Sequence, residues 1–327
     1  MKQLSPWTAA LLKRCATLVA GHGGNSLLVL LFHRVLPDPD PLLTDEPDVA
    51  DFAAQMDVVR ATCSVIPLVE AVERLYKRSL PPNAACITFD DGYANTLMCA
   101  APVLEKRGLP ATVFITTGYL EGGRMWNDTV IESVRRAGEQ LDLSSIGFGR
   151  FKLTDMSARR HAAQVLRRKL KYLDPEDRAQ KTSRIAEIVG RELPEDLMLS
   201  VPQVKELIRR RIDVGAHTVS HPILTRVDDV TARREILASK ATLEEVTGAP
   251  VELFAYPNGQ PHRDYLRSHV DMVREAGFSA AVSSAWGACH VGSDRFQLPR
   301  MKPWETSSVG FVGRLLYTRR AKREETA

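Results

Sequence analysis

Ala85-Cys86-Ile87-Thr88-Phe89-Asp90-Asp91-Gly92-Tyr93 is the stretch on which the fold turns. An unbroken apolar run meets two adjacent carboxylates and then a glycine, as a buried strand does where it ends at the mouth of a site. An Asp-Asp-Gly alone is a common turn. The rest of the chain repeats the pattern, with short apolar runs at 27–32, 111–116, 212–216, 252–256, 280–283 and 296–298 and a weaker one at 64–66. Several are continuous rather than alternating, which marks strands buried on both faces, as in a parallel sheet covered by helices. Helical periods lie between them at 51–62, 69–77, 94–107, 201–211, 229–247 and 263–276. Repeating strand–helix units predict an α/β fold, either a barrel or a doubly wound sheet.

Three segments stand outside this rhythm. Residues 128–200 show no strand, but Ala162, Val165, Leu166, Leu170 and Leu173 form a helical stripe. They predict a helical insertion at the rim of a single domain spanning 25–317, where α/β folds vary freely. Residues 1–24 predict an amphipathic helix carrying Leu11, Leu12, Cys15, Leu18 and Val19 on one side. It either packs on the domain or makes peripheral membrane contact with Trp7 at the interface. Residues 318–327 are polar and are expected to fray.

Composition narrows the function classes. The chain has 327 residues, 44% of them hydrophobic, and a net charge of +4. The basic clusters Arg159-Arg160, Arg167-Arg168-Lys169-Lys171 and Arg209-Arg210-Arg211 sit on helical periods and read as solvated faces. No nucleic-acid motif accompanies them. Cys15, Cys63, Cys86, Cys99 and Cys289 are odd in number and form no CxxC, which suits a reducing compartment. No stretch approaches the roughly 20 apolar residues of a membrane span. Lys13-Arg14 breaks the run from Trp7 too early for a signal peptide, so a cytoplasmic or membrane-surface location is expected. Oligomeric state is not legible.

The chemistry collects at strand ends, where sites of parallel α/β folds assemble. His33 ends the first run, Asp90 and Asp91 the second, His217 a later one and Tyr256-Pro257-Asn258-Gly259 another. Adjacent residues on a strand point to opposite sides, so Asp90 and Asp91 are suited to different tasks. His217 and His221 are four apart, and one helical turn would put both on one face. An HxxxH is usually unrelated to metal; its occurrence with Asp-Asp at a strand end reverses that reading. Asp91, His217 and His221 then make a divalent-metal site, zinc being the expected ion, with positions left for water and a substrate oxygen. Asp90 is left over as a spare carboxylate. Two histidines and one carboxylate also suit a non-haem iron oxygenase, but a spare carboxylate beside the metal favours hydrolysis.

Thr88-Phe89-Asp90-Asp91-Gly92 and His217-Thr218-Val219-Ser220-His221, in this order, resemble the first two motifs of the polysaccharide deacetylases, the NodB-homology or carbohydrate esterase family 4 enzymes. The resemblance extends over residues 27–300. It implies a distorted (β/α)7-type barrel and metal-dependent hydrolysis of an acetyl group from a sugar, usually N-acetylglucosamine in a poly- or oligosaccharide. It carries the role of catalytic base to Asp90 and of metal ligands to Asp91, His217 and His221. The later motifs depart from the family pattern. Ala255 stands where an arginine orients the catalytic aspartate, and Asn258 where an aromatic lends its backbone N–H to the oxyanion. A backbone donor survives a side-chain change, so Asn258 keeps that assignment. Arg300, in Leu298-Pro299-Arg300, is either the substitute guanidinium beside Asp90 or a surface arginine. The family's C-terminal histidine acid is missing too. His33 is the first candidate to replace it and His290 the second, with a structural role as the alternative. The Phe-His-Arg-Val, Tyr-Pro-Asn-Gly and Leu-Pro-Arg segments resemble the branch found in bacterial exopolysaccharide biosynthesis. Tyr256, Trp126 and Trp286 are the substrate-contact candidates, the two tryptophans serving equally well as packing. With two motifs altered, a glycan-binding module without turnover and an O-acetyl esterase stay open beside the deacetylase reading.

Overall fold

The computed structural model describes residues 25–305, 307–320 and 325–327. The amphipathic helix expected at 1–24 lies outside the described residues. Along the chain the strands are β1 (Leu28–Phe32), β2 (Ser64–Val65), β3 (Ala84–Phe89), β4 (Thr112–Ile115), β5 (Gln140–Leu143), β6 (Gly149–Lys152), β7 (Asp213–Ala216), β8 (Leu253–Ala255), β9 (Ala280–Trp286) and β10 (Leu298–Arg300). The main sheet runs β1-β3-β4-β7-β8-β9-β10, with β2 beside β3, and its pairs are all parallel. A parallel bridge between Leu30 and Met301 brings the last strand back to the first, so the sheet is nearly closed into a barrel. The expected α/β barrel is the observed architecture. A doubly wound sheet would leave both edges open.

The continuous apolar strands follow from burial on two sides. Leu28, Leu30, Ile87, Val113 and Phe254 face outward into the main core under the helices. Val29, Cys86, Phe114, Val282 and Leu298 alternate with them and form an inner cluster joined by Leu68, Val72 and Leu75 of helix Leu68–Tyr76. Burying an aliphatic or aromatic side chain fully is worth about 1.5–3 kcal/mol, so these rows fix which side of each strand faces the barrel axis.

Between β4 and β7 the chain leaves the barrel. Helices Trp126–Arg136, Met156–Lys171 and Pro175–Val189 pack around a small core of their own, with Val130, Val134, Leu166, Leu170 and Ile185 at its centre. This segment is not all helical as expected: β5 and β6 form an antiparallel pair within it. The pair is four residues long on each side, and β5 shows only Leu141 and Leu143 in alternation, too short a period to read. The C-terminal helix, Ser308–Arg320, also runs past the residue at which fraying was expected. Thr318 and Arg319 are buried, and Arg319 donates to the carbonyls of Asn83 and Ala84. Among the described residues no helix is long and apolar enough to cross a membrane.

Candidate active site

His33, Asp90, Asp91, His217 and Asn258 all line one cavity of about 710 Å³ at the carboxyl ends of the barrel strands. Asp90 is 4% exposed and would be costly to bury alone. Its partner is Arg300 at the end of β10, equally buried, which donates from two guanidinium nitrogens to the two carboxylate oxygens at 2.7 and 2.6 Å. Arg300 is itself held by the Ser283 carbonyl at 2.7 Å and by Thr88 Oγ1 at 3.2 Å. The guanidinium that Ala255 cannot supply on β8 therefore arrives from β10. Burial pushes the Asp90 carboxyl up, but the Arg300 and His217 charges and the Arg300 hydrogen bonds outweigh it and hold it below the ordinary value.

Asp91 has φ 75°, and its Oδ1 lies 3.4 Å from His217 Nε2 and 3.3 Å from His221 Nε2. One ligand atom from each of the three residues falls within 4.8 Å of the others. Ligand atoms about 2.1 Å from a tetrahedral zinc sit about 3.4 Å apart, so the spacing fits a divalent ion. The Nδ1 of His217 lies 2.7 Å from the Ala255 carbonyl. A carbonyl only accepts, so Nδ1 carries a proton, and Nε2 faces Asp91, donating to it when the ring is charged and offering its lone pair to a metal when the ring is neutral. Burial raises the Asp91 carboxyl, yet hydrogen bonds from His217 and His221 take it well below its usual range. Burial lowers both imidazoles. For His217 the Asp91 hydrogen bond and the Asp90 and Asp91 charges reverse this, and His221 stays low.

The two histidines are not on a helical turn. After His217 the chain bends, with left-handed backbone at Thr218 (φ 66°) and His221 (φ 56°). Glu235, from helix Asp229–Thr247, accepts from the Val219 and Ser220 N–H groups and the Ser220 hydroxyl, each at 2.8 Å. Gly118 lies against the same loop; a Cβ there would be 2.6 Å from the Val219 carbonyl oxygen. A four-residue spacing brings two imidazoles together here through a clamped loop, and nothing in the spacing distinguishes that from a helix.

Asn258 begins a second clamped turn. Its φ is 59°, Ser284 Oγ donates to its carbonyl at 2.5 Å, and its N–H has no partner among the described residues. Next to it, a Cβ at Gly259 (φ 71°) would meet Ser284 N at 2.8 Å, so β9 presses the turn into place. His33 Nδ1 is shielded from solvent and likewise unpartnered. His33 lies close enough to contribute to the lowering of both the Asp90 and Asp91 carboxyls.

Three expected residues lie elsewhere. Tyr256 is 1% exposed, stacked on Tyr265 at 4.0 Å with its hydroxyl on the Phe296 carbonyl, and is core rather than a substrate contact. Trp286 packs on Tyr317 of the C-terminal helix and does not line the cavity. His290 follows Cys289, which bridges Leu27 before β1, and so sits at the opposite end of the barrel. Trp126 does line the cavity.

Other cavity residues went unread in the sequence. Trp304, 64% exposed, also lines the cavity. Asp128 is 2% exposed; it accepts from the Tyr93 hydroxyl at 2.9 Å and lies 3.5 Å from Arg34, whose guanidinium covers the Tyr93 ring. Burial pushes its carboxyl up to about 6 against the pull of Arg34. Arg34 beside His33 and Asp128 beside Trp126 were the available signals, but an acid in the first turn of a helix reads as a dipole partner. The Arg167-Arg168-Lys171 cluster is also not a plain solvated face, because these residues line the cavity.

With this geometry in view, the comparisons are consistent. Residues 77–174 and 179–281 match the polysaccharide deacetylase family, and the chain belongs to it. No curated protein sequence matches the chain. Among solved structures it is similar to the Streptococcus pyogenes deacetylase PplD in complex with acetate, with 17% identity, a TM-score of 0.61 and coverage of 90% of this chain and 99% of that one. IcaB from Ammonifex degensii gives 21% identity and a TM-score of 0.56 over 90% and 98% of the two chains. The BpsB deacetylase domain from Bordetella bronchiseptica gives 16% and 0.54 over 85% and 96%. At these identities the likeness is one of fold.

Proposed function

We propose that this deacetylase hydrolyses an N-acetyl group on a sugar of a bacterial exopolysaccharide or its precursor, with Asp90 as general base. The observation that carries the reading is the locked Asp90–Arg300 pair beside three converging metal-ligand atoms. Held ionised by Arg300, Asp90 accepts the proton of the attacking water. A carboxylate kept below its ordinary pKa is a modest base, so its contribution is orientation as much as basicity. Asp91, His217 and His221 would hold a divalent ion, zinc by its nitrogen-rich donor set. That ion would lower the pKa of water towards about 7 and polarise a carbonyl. The free Asn258 N–H donates to the oxygen that becomes negative. His33 gives a proton to the departing amine nitrogen, so acetate and a free amino sugar leave. Trp126 and Trp304 offer apolar faces to the pyranose rings.

Acetate release from acetylated oligosaccharides, measured with and without a chelator, tests the reading. Release that the chelator abolishes and added zinc restores is expected. Glycan binding with no acetate from any substrate would make the chain a binding module. Release confined to O-acetyl sugars would make it an esterase.

A further inference from the structure

One wall of the cavity is the helix Met156–Lys171. Its inner stripe is Arg160, Gln164, Arg167, Arg168 and Lys171, spaced four, three, one and three residues apart, so all five share a face. The opposite face buries Leu166 and Leu170 against the insertion's own core, which fixes the helix's rotation. Lys169, from the same run, lies over the Phe148 ring instead.

The cavity's charges divide into two groups. Carboxylates near the strand ends are already answered: Asp90 by Arg300, Asp128 by Arg34, and Glu46 by Lys302 at 3.8 Å, while Asp91 faces the two histidines. Arg167, Arg168 and Lys171 form no ion pair among the described residues. Beyond Lys171 the positive track continues to Arg263 and Arg226, both over the Tyr172 ring. Asp264 sits beneath it, occupied by the Gln260 N–H and the Tyr172 hydroxyl. Exposed Asp45 is the one carboxylate lining the cavity that forms no ion pair among the described residues. Burial pushes the Lys171 ammonium down, as do the Arg263 and Arg167 charges, against the pull of Asp264. Uncompensated cations crowded on one wall of a reaction cavity lower the energy of an anion there and speed its arrival.

We infer that the substrate is an acetylated sugar carrying a phosphate or diphosphate group, which binds the Arg167-Arg168-Lys171 wall while the acetamide reaches Asp90. Three adjacent cations suit a multiply charged group better than a single carboxylate, and guanidinium forks match phosphate oxygens in pairs. Such a group comes from a nucleotide sugar or from a lipid-linked sugar. The enzyme would then act on a precursor, after the reaction that attaches the sugar to its phosphate carrier and before the one that transfers it. This inference rests on the deacetylase reading.

The test uses the full chain loaded with zinc and three probes: UDP-N-acetylglucosamine, farnesyl-diphosphate-linked N-acetylglucosamine and neutral tri-N-acetylchitotriose. The wild type is expected to favour one diphosphate probe over the neutral one by about tenfold or more in kcat/KM, and the favoured probe identifies the carrier. In Arg167→Gln/Arg168→Gln that ratio should fall about tenfold, through KM, because two screened charge contacts of roughly 0.7 kcal/mol each make one decade. Lys169→Gln should leave the ratio unchanged. A wild-type ratio near one, or a double variant that loses all three rates equally, overturns the proposal. If no probe releases acetate, the deacetylase reading is what fails. Calorimetric binding of N-acetylglucosamine 1-phosphate then judges the wall alone: binding lost in the double variant supports it, and no binding by the wild type refutes it.

Discussion

The floor and the wall of the cavity are built on opposite plans. The floor is the rim of the barrel, where Asp90, Arg300 and His217 are each at most 4% exposed and hydrogen-bonded from several strands. The wall is an excursion from that barrel with its own small core, and its cavity face carries Arg167, Arg168 and Lys171, which form no ion pair among the described residues. Reaction geometry tolerates little displacement, so it sits where neighbouring strands over-determine each side chain. On the proposed reading, recognition of the substrate sits on the segment that can change without disturbing the sheet.

The largest effect that would sharpen this contrast is expected at Arg300. Arg300→Met leaves Asp90 buried without a counter-charge, a loss on the order of 3–5 kcal/mol by chemical denaturation at pH 7. The pairing holds the folded Asp90 carboxyl below its unfolded value, so its stabilisation is present above about pH 4 and disappears as pH falls through the folded value. The gap between wild type and variant should therefore narrow in acid. A variant as stable as the wild type at pH 7 would mean that the floor is not held by this pair.

Next comes Glu235, which clamps the His217–His221 loop from behind without reaching the cavity. Glu235→Ala should weaken zinc binding about 10- to 100-fold in a competition titration, the usual cost of losing a group that orients ligands. Unchanged affinity would show that the loop holds its own shape.

Asp128 lies at the junction of floor and wall, and its effect is smaller and opposite in sign. Its carboxyl is raised to about 6 in the fold, so the folded state holds a proton that the unfolded chain has released. Stability should decline between about pH 4 and pH 6 from this group, by on the order of 2 kcal/mol. Asp128→Asn should remove that decline, making the variant equal to or more stable than wild type at pH 7. A variant that is less stable at pH 7 and keeps the decline would contradict the assignment.

This contrast also explains what the sequence disclosed. Barrel strands were legible because burial on two sides writes unbroken apolar runs such as residues 85–89, and their ends announced Asp90, Asp91, His33 and His217. Arg300 was named as the substitute guanidinium only beside the alternative of a surface arginine, since no local pattern says which strand end will meet Asp90 across a barrel, and the structure places it on Asp90. The loop of His217–His221 was misread as a helical turn because the same spacing serves both. Tyr256 and Trp286 show that an aromatic at a strand end is not thereby in the site: one points into the core, the other under the C-terminal helix. The cationic wall was misread because a helical stripe of arginines looks the same whether it faces solvent or a cavity, and only tertiary placement separates the two.

The central claim is a division of labour between adjacent residues, Asp91 for metal and Asp90 for the proton. Measuring zinc content and acetate release together in Asp90→Asn tests it most directly. Zinc at the wild-type stoichiometry with release lowered by about 10²–10⁴ is the expected result. Undiminished acetate release from the zinc-loaded variant would contradict it.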